Sequence, residues 1–316
     1  MPASKDGGLM ELSEKMGYEL GIDPQYVVYC ARRNNLYARY YIDKKGGGKR
    51  EILQPSKELK VLQHWLVRNI FNQFPVSNFS SAYSKGDSVK KNALIHSASN
   101  YILHTDVKSF FTSIRKEMLN KFFLDNKALV DRMGLSTEDI ELILDICLYR
   151  GKYLVVGSVA SPSIANIFME RFDSIFYEKL SSMGNYKYSR YADDIIVSSD
   201  KYIKEDVVTL IKNELRTIGL TLNDDKTFFM NKSKKRQVTG VVIDNNTNKI
   251  SVGNKKYKEI QRAIYKYLVK GQGDIGYLQG YISYIKDLNQ EQYEQLKAIY
   301  TKYDKKNELF SIKLSK

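Results

Sequence analysis

Apolar residues recur every three or four positions in three long segments, a spacing typical of helices that bury one face. The segments are 58–71, 161–180 and a third that begins near Gly253. Ser161 followed by Pro162 favours a helix start, because serine caps a helix and proline fits its first turn. We therefore predict an amphipathic helix in each segment. The apolar stripes comprise Leu59, Leu62, Leu66 and Ile70, then Ile164, Phe168, Phe172 and Ile175, and finally Ile260, Ile264 and Leu268.

Shorter apolar runs predict strands. They are YARYYI (37–42), REILQP (50–55), NYILHTDV (100–107), YKYSRYA (186–192), DIIVSSD (194–200) and QVTGVVID (237–244). The first two runs flank a glycine-rich segment that ends at Gly48, which predicts a hairpin. Because the strands fall among the helices without regular βα alternation, we predict an α+β fold with a mostly antiparallel sheet.

Composition narrows the class of protein. A chain of 316 residues, 43% hydrophobic and 27% charged, is typical of a globular protein with more than one subdomain. Cys30 and Cys147 lie far apart and outside any CxxC pair, so neither a disulfide framework nor a thiolate zinc site is predicted. No apolar leader or long apolar run is present in the sequence, so we expect a soluble, cytoplasmic protein with no membrane contact.

Charge is distributed unevenly along the chain. The formal net charge is +14, and residues 231–316 supply +10 of it, with 18 Lys and Arg against 8 Asp and Glu. Basic residues there alternate with tyrosines, a composition that suits phosphates and bases. A solvated helix surface above ordinary core tyrosines would give the same composition. Nucleic acid is therefore a candidate partner, on grounds of charge alone.

Three aspartates follow or interrupt apolar strands. Asp193 and Asp194 lie between the strand-like YKYSR (186–190) and the apolar IIV (195–197), and Asp106 follows the apolar YILHT (101–105). Carboxylates grouped in this way are ligands that Mg²⁺ prefers when substrate phosphates supply the rest, and two such ions can activate a hydroxyl and stabilise a leaving pyrophosphate. An ordinary turn rich in aspartate is the alternative. Histidine offers no metal site, because His64, His96 and His104 lack ligand spacing; we predict structural roles for His64 and His104.

Five motifs occur in the order and spacing found in reverse transcriptases, so the chain resembles that family from about residue 40 to 240. They are Arg50-x-Ile52-x-x-Pro55, Asp106-Val-Lys-Ser-Phe-Phe111, Gly157 to Ser161-Pro162, Tyr191-Ala-Asp-Asp194, and Gly219-Leu-x-Leu-Asn223 to Lys226-Thr227. Two further elements resemble those of bacterial retron reverse transcriptases: Asn92-Ala-Leu-Ile-His96 matches NAxxH, and Val238-Thr239-Gly240 matches VTG.

The resemblance implies a right-hand polymerase with fingers, palm and helical thumb. Residues 1–100 would form N-terminal helices and fingers, 101–240 the palm with part of the fingers interleaved, and 241–316 the basic thumb. By similarity, the catalytic aspartates are Asp106, Asp193 and Asp194. Asp106 and Asp193 would bridge two Mg²⁺ ions, for which Mn²⁺ is a substitute, while Asp194 and the carbonyl of Val107 complete the site.

The resemblance also implies nucleotide contacts. Phe111 matches the steric gate that excludes ribonucleotides, although a core phenylalanine is the alternative. Arg50 would hold the triphosphate of the incoming deoxynucleotide, with Lys49 as a weaker candidate, and Gly157 and Lys226 would lie near the nucleotide. The family pattern LPQGAPxSP is altered here, because valines occupy the positions of its first proline and its glutamine, Val155 and Val156.

The resemblance to retron reverse transcriptases also implies RNA contacts for the NAxxH and VTG elements. By similarity, Asn92 and His96 would contact the cognate RNA, although His96 could instead be a hydrogen-bonded helix residue. The VTG residues Val238, Thr239 and Gly240 are also expected to contact nucleic acid. In the thumb, the candidates that hold nucleic acid are Lys255, Lys256, Arg262 and Lys266.

The function implied is that of a retron RNA-directed DNA polymerase. It would copy part of a structured noncoding RNA into multicopy single-stranded DNA, primed from a 2′-hydroxyl of that RNA, and act in antiphage defence with a separate effector protein. Two alternatives stay open: another bacterial reverse transcriptase of the diversity-generating or defence-associated type, and a non-catalytic RNA-binding scaffold with a relic palm.

Overall fold

A computed structural model describes residues 11–33, 35–43, 47–305 and 308–310. The helices are α1 Leu12–Leu20, α2 Pro24–Arg32, α3 Lys57–Asn69, α4 Val89–His96, α5 Phe110–Ser113, α6 Lys116–Asp125, α7 Lys127–Met133, α8 Thr137–Cys147, α9 Ser161–Phe168, α10 Glu170–Met183, α11 Glu205–Thr217, α12 Asn254–Lys270, α13 Ile275–Leu288 and α14 Gln290–Tyr300. The strands are β1 Tyr37–Asp43, β2 Lys49–Pro55, β3 Tyr101–Asp106, β4 Lys187–Tyr191, β5 Asp194–Ser199, β6 Phe228–Asn231, β7 Arg236–Val238, β8 Val241–Ile243 and β9 Ile250–Ser251.

The central sheet contains four strands in the order β4-β5-β3-β6, and each neighbouring pair is antiparallel. Aromatic and β-branched residues recur in these strands because such side chains pack well on a pleated surface. This sheet and the surrounding helices confirm the predicted α+β class.

The central sheet has two buried faces, because side chains alternate along each strand. Leu103 and Val197 are cross-strand partners and point into a first core formed with α1–α3 and α6–α11. Ile102 and Ile196 point to the opposite side, into a second core formed with α4, the β7-β8-β9 sheet and α12–α14. The central sheet therefore lies between the two cores and contributes side chains to both.

The segment 161–180 forms two helices where the sequence predicted one. The helix α9 ends at Phe168, and α10 starts at Glu170 after the single residue Met169. Downstream of the break, the buried stripe follows Phe172 and Phe176, while Ile175 is only partly buried. The two other predicted helices, α3 and α12, are confirmed with their apolar stripes inward.

The run 237–244 forms a hairpin instead of one strand. β7 and β8 pair around Thr239 and Gly240, whose φ angles are 47° and 85°. Left-handed backbone at both central positions is the conformation of a tight two-residue hairpin turn, which the glycine accommodates. β7 and β8 lie on either side of the predicted palm and thumb boundary, so the three-stranded sheet crosses it. The domain boundaries stay a prediction.

The predicted hairpin of β1 and β2 is confirmed, although residues 44–46 near its tip lie outside the described residues. Leu53 of β2 donates its backbone N–H to the carbonyl of Val156 at 2.9 Å, which joins the hairpin to the segment before α9. Among the described residues, no helix has both the length and the apolar character needed to cross a membrane.

Candidate active site

The three predicted aspartates meet at one end of the central sheet. Asp106 is the last residue of β3 and lies directly opposite Asp194, the first residue of β5. Asp193 occupies the turn between β4 and β5, and its carbonyl accepts a hydrogen bond from Val107 N at 3.0 Å. Neighbouring strand ends therefore group the carboxylates as the sequence predicted.

The turn before Asp193 has an unusual backbone. Ala192 is buried and adopts φ 56°, in the left-handed region. For a residue with a Cβ this conformation costs roughly 1–2 kcal/mol, so neighbouring contacts must hold it. The position of Asp193 depends on this turn.

The electrostatics of the site suit a cation. Burial, and next the charge of Asp194, raise the pKa of Asp193 to about 6. Asp106 is 2% exposed, and its buried Oδ1 has no hydrogen-bond partner among the described residues. A buried carboxylate oxygen without a partner is costly unless a cation or donor satisfies it. The donor set, hard carboxylate oxygens at a strand end, therefore fits Mg²⁺.

The protein side chains would not enclose such a cation alone. Within the described ranges, no group of three or more His, Cys, Asp or Glu residues is arranged to hold a metal ion. Mg²⁺ commonly takes one or two protein carboxylates and draws its other ligands from water and substrate phosphates. The open arrangement at Asp106, Asp193 and Asp194 is of that kind.

Lys226 lies at the edge of this carboxylate group. Its Nζ forms an ion pair with Asp106 Oδ2, and this contact raises the pKa of the lysine. The backbone holds the segment in place, because Asn223 N donates to the carbonyl of Asp106 at 2.8 Å. The lysine is 57% exposed, so it reaches the site from the solvent side.

His104, for which the sequence predicted a structural role, lies beside the carboxylates. Its Nε2 lies 3.3 Å from Asp194 Oδ1, and its ring stacks on Phe228 with centroids 4.8 Å apart. The missed signal is the spacing, because residues two apart on a strand share a face and His104 precedes Asp106 by two. A groove of about 710 Å³ starts here. Its lining includes Asp194, Phe228, Lys234, Lys235, Thr239 and Gly240.

Tyr83 is a second residue near the site that the sequence did not indicate. It has φ 70° and a half-exposed side chain. Burial, and next the charge of Asp193, raise the pKa of Tyr83 to about 12. It lies in an irregular loop without periodicity, so nothing in its local sequence pointed to the aspartates.

The predicted nucleotide residues occupy different surroundings. Phe111 is partly buried in α5 and packs on the first core, while Lys49 and Arg50 are exposed on β2. Gly157 has φ 106°, and a Cβ there would lie 2.8 Å from the carbonyl oxygen of Leu53. Gly157 therefore allows close approach of the β1–β2 hairpin, which a larger residue would prevent.

Asn92 and His96 are both fully buried, so their side chains are inside the protein and not at an RNA-facing surface. The two ring nitrogens of His96 lie 2.8 Å from Ser198 Oγ and 2.7 Å from Ser189 Oγ. Asn92 Nδ2 donates to Thr239 Oγ1 at 2.6 Å. The structure thus brings the NAxxH and VTG elements together and supports the hydrogen-bonded interpretation of His96.

Three of the four thumb candidates share one exposed face of α12. Lys255, Arg262 and Lys266 are exposed on the side opposite the buried Ile260 and Ile264. Lys256 differs, because its ammonium group donates to Tyr277 OH at 3.1 Å and lies 4.4 Å from the ring centroid of Tyr281. Its ammonium group is therefore engaged by tyrosines of the same C-terminal helices.

Comparison with known proteins gives one consistent family. Residues 42–243 match the family described as reverse transcriptase (RNA-dependent DNA polymerase). The chain is 32% identical to the retron Ec86 reverse transcriptase of Escherichia coli over 277 residues, 85% of this chain and 82% of the relative. It is 32% identical to the retron Ec73 enzyme, covering 83% and 86%, and 29% identical to the retron Ec83 enzyme, covering 87% and 90%, both also from Escherichia coli.

Proposed function

The chain belongs to the reverse transcriptase family, within its bacterial retron group, and we propose that it copies part of a structured noncoding RNA into multicopy single-stranded DNA. The family makes it an RNA-directed DNA polymerase with a right-hand polymerase fold, and divalent metal ions are the cofactors of such enzymes. The observation that carries the chemistry is the meeting of Asp106, Asp193 and Asp194 at one sheet end.

The proposed cofactor is a pair of Mg²⁺ ions, with Mn²⁺ as a substitute. The residues that would hold the ions are Asp106, Asp193 and Asp194, together with the backbone carbonyl of Val107. Bound ions of this kind lower the pKa of an attacking hydroxyl and offset charge on the leaving pyrophosphate. The unpartnered Oδ1 of Asp106 supports this assignment, because ligation would satisfy it.

Nucleotide selection is assigned to residues around the carboxylates. Phe111 would exclude the 2′-hydroxyl of a ribonucleotide, so that deoxynucleotides are the substrates. Arg50, with Lys49 beside it, would contact the triphosphate, and Gly157 lets the β1–β2 hairpin lie close to the segment before α9. Lys226 would exchange its contact with Asp106 for the leaving phosphates.

Nucleic-acid binding is assigned to the thumb and the VTG turn. Lys255, Arg262 and Lys266 would contact phosphates, because they present three exposed basic side chains on one face of α12. Lys256 would not contact phosphates, because its ammonium group is directed at Tyr277 and Tyr281. Asn92 and His96 would act indirectly, by holding Val238, Thr239 and Gly240 in the conformation that the RNA meets.

The direct test of catalysis is the double variant Asp193→Ala/Asp194→Ala. We expect it to abolish deoxynucleotide incorporation on an RNA template, because the metal ligands are removed. Asp200→Ala is the matched control, since Asp200 is an exposed acid at the far end of β5. Incorporation that persists in the double variant would refute the site assignment. A wild-type chain that incorporates no deoxynucleotide with its own RNA and Mg²⁺ would instead favour a non-catalytic scaffold.

The retron-specific part of the proposal concerns priming and partners. We propose priming from a 2′-hydroxyl of the cognate RNA, and action in antiphage defence together with a separate effector protein. Sequencing the nucleic acid that copurifies with the chain should give single-stranded DNA joined to RNA by a 2′ branch. Unbranched DNA would instead assign the chain to another bacterial reverse transcriptase class.

A further inference from the structure

Arg190 lies on β4, directly before the turn that carries Asp193, and its side chain is completely buried. Asp173 of α10 is equally buried and accepts from Arg190 Nε at 2.8 Å and from Nη2 at 2.7 Å. A bidentate pair of this kind fixes the plane of the guanidinium group. Because a charge buried here must keep its partners, the group has one well-defined orientation.

That orientation directs the remaining nitrogen at the catalytic turn. Arg190 Nη1 donates to the carbonyl oxygen of Ala192 at 3.1 Å. Ala192 is the residue with the left-handed backbone, and its carbonyl belongs to the peptide group that joins it to Asp193. The guanidinium group therefore holds the peptide that determines where the Asp193 side chain starts.

The same residue also fixes the loop that leads to Tyr83. The backbone of Arg190 pairs with this loop, because its N–H donates to the carbonyl of Phe79 and its carbonyl accepts from Ser81 N, both at 2.8 Å. Asn166 continues the connection: its Oδ1 accepts from Arg190 Nη2 at 3.1 Å, and its Nδ2 donates to the carbonyl of Ala82 at 3.1 Å.

We propose that Arg190, oriented by Asp173, is a positioning residue that sets the geometry of the Asp193 turn and so the affinity of the site for divalent cations. It acts through the carbonyl of Ala192, because its hydrogen bonds go to Asp173, Asn166 and Ala192 and not to the carboxylates of the candidate metal site. This inference rests on the proposed function, because it assigns Asp193 to metal binding. It adds a cause for the left-handed turn.

The test compares two buried arginines replaced in the same way. Arg190→Lys keeps a positive charge for Asp173, but a compact ammonium group cannot span the carboxylate and the Ala192 carbonyl as a guanidinium fork does. Arg236→Lys is the matched control. Arg236 is also completely buried and donates to backbone carbonyls, those of Ser97, Ser99 and Asp244, but it lies in the three-stranded sheet away from the aspartates.

Two measurements separate positioning from simple loss of stability. We expect Arg190→Lys to lower kcat roughly a hundredfold, a loss typical of misplacement by about 1 Å, with little change in KM for the deoxynucleotide. Mn²⁺ binding to the protein without substrate, followed by water-proton relaxation, should weaken in parallel. Arg236→Lys should keep kcat and Mn²⁺ affinity near those of the wild type, even if its thermal stability falls as much as that of Arg190→Lys.

The proposal is wrong if Arg190→Lys retains wild-type kcat and Mn²⁺ affinity. It is also wrong if the falls in kcat and Mn²⁺ affinity are no larger in Arg190→Lys than in Arg236→Lys. If Arg190→Lys does not fold, Arg190→Met/Asp173→Asn replaces it, because this pair leaves no unpaired buried charge and keeps an acceptor for Tyr188. The same losses are expected of it. An inactive wild-type protein that still binds Mn²⁺ in an Arg190-dependent manner would refute the proposed function and leave the positioning role intact.

Discussion

The two faces of the central sheet contain buried polar networks of different kinds. On the side of the first core, Arg190 and Asp173 form a charged pair with no exposed surface. On the side of the second core, His96, Asn92, Ser189 and Ser198 form a network without formal charge that ends at Thr239. Both networks contact β4, the strand that leads into the catalytic turn.

The difference between the charged and the neutral network indicates that the two faces of the central sheet support different functions. The charged network is directed at Ala192 and so at the carboxylates. The neutral network connects β4 and β5 to the VTG turn, beside the groove that reaches Asp194. Damage to the first should therefore change chemistry, and damage to the second should change how RNA is bound. Each prediction below tests that separation.

Asp173→Ala should have the largest effect on stability. It leaves Arg190 buried without its counter-ion, which typically costs about 3–5 kcal/mol, a large part of the roughly 5–15 kcal/mol that stabilises a native protein. Urea denaturation of the wild type and of the variant measures the change in the free energy of unfolding. Asp131→Ala is the matched control, because Asp131 forms an exposed ion pair with Lys127. A loss for Asp173→Ala that equals the control would show that the charged pair is dispensable.

Asn92→Ala should have the next largest effect. It removes the donor to Thr239 and the acceptor for Ser189, both inside the protein, so we expect a loss of about 1–3 kcal/mol. RNA affinity should fall with it, because the VTG turn loses its support, while kcat on a saturating template stays near wild type. Ser97→Ala, which removes an exposed hydroxyl, is the control. A variant with reduced kcat and normal RNA affinity would contradict the separation of tasks.

The sequence predicted the parts of the site that local pattern determines. Asp106 and Asp193 were found because an acid beside an apolar strand is visible in a single segment. The partnership of Arg190 with Asp173 was not visible, because burial of a charge depends on how α10 packs against β4. The turn at Thr239 was also missed, since QVTGVVID has the apolar character of one strand. The break at Met169 lies within an unbroken apolar stripe.

His96 should make stability depend on pH. Burial lowers its pKa to about 3, whereas an unfolded chain has a value near 6.5. Between these values the unfolded state binds a proton that the folded state does not, so this contribution to stability is present above about pH 6.5 and is lost as pH falls. The slope is at most about 1.4 kcal/mol per pH unit.

His96→Gln tests this sign. Glutamine keeps a donor and an acceptor but does not titrate, so the variant should lose less stability than wild type between pH 6.5 and 5, about 1.6 kcal/mol less by this linkage. Denaturation at a series of pH values measures the difference. Parallel curves for the two proteins would show that His96 is not held in its neutral form.

The smallest expected effect belongs to the outer surface of the second core. Lys255→Gln/Arg262→Gln removes two exposed charges from α12, so the slope of log affinity for RNA against log salt concentration should fall by about 1.5. The control is Lys256→Gln/Lys286→Gln, which removes two charges that lie over tyrosine rings, 4.4 Å from Tyr281 and 5.1 Å from Tyr293. Because these ammonium groups face the thumb itself, the control should keep the wild-type slope. An equal fall in both variants would mean that RNA responds to the net charge of the thumb and not to one face of α12.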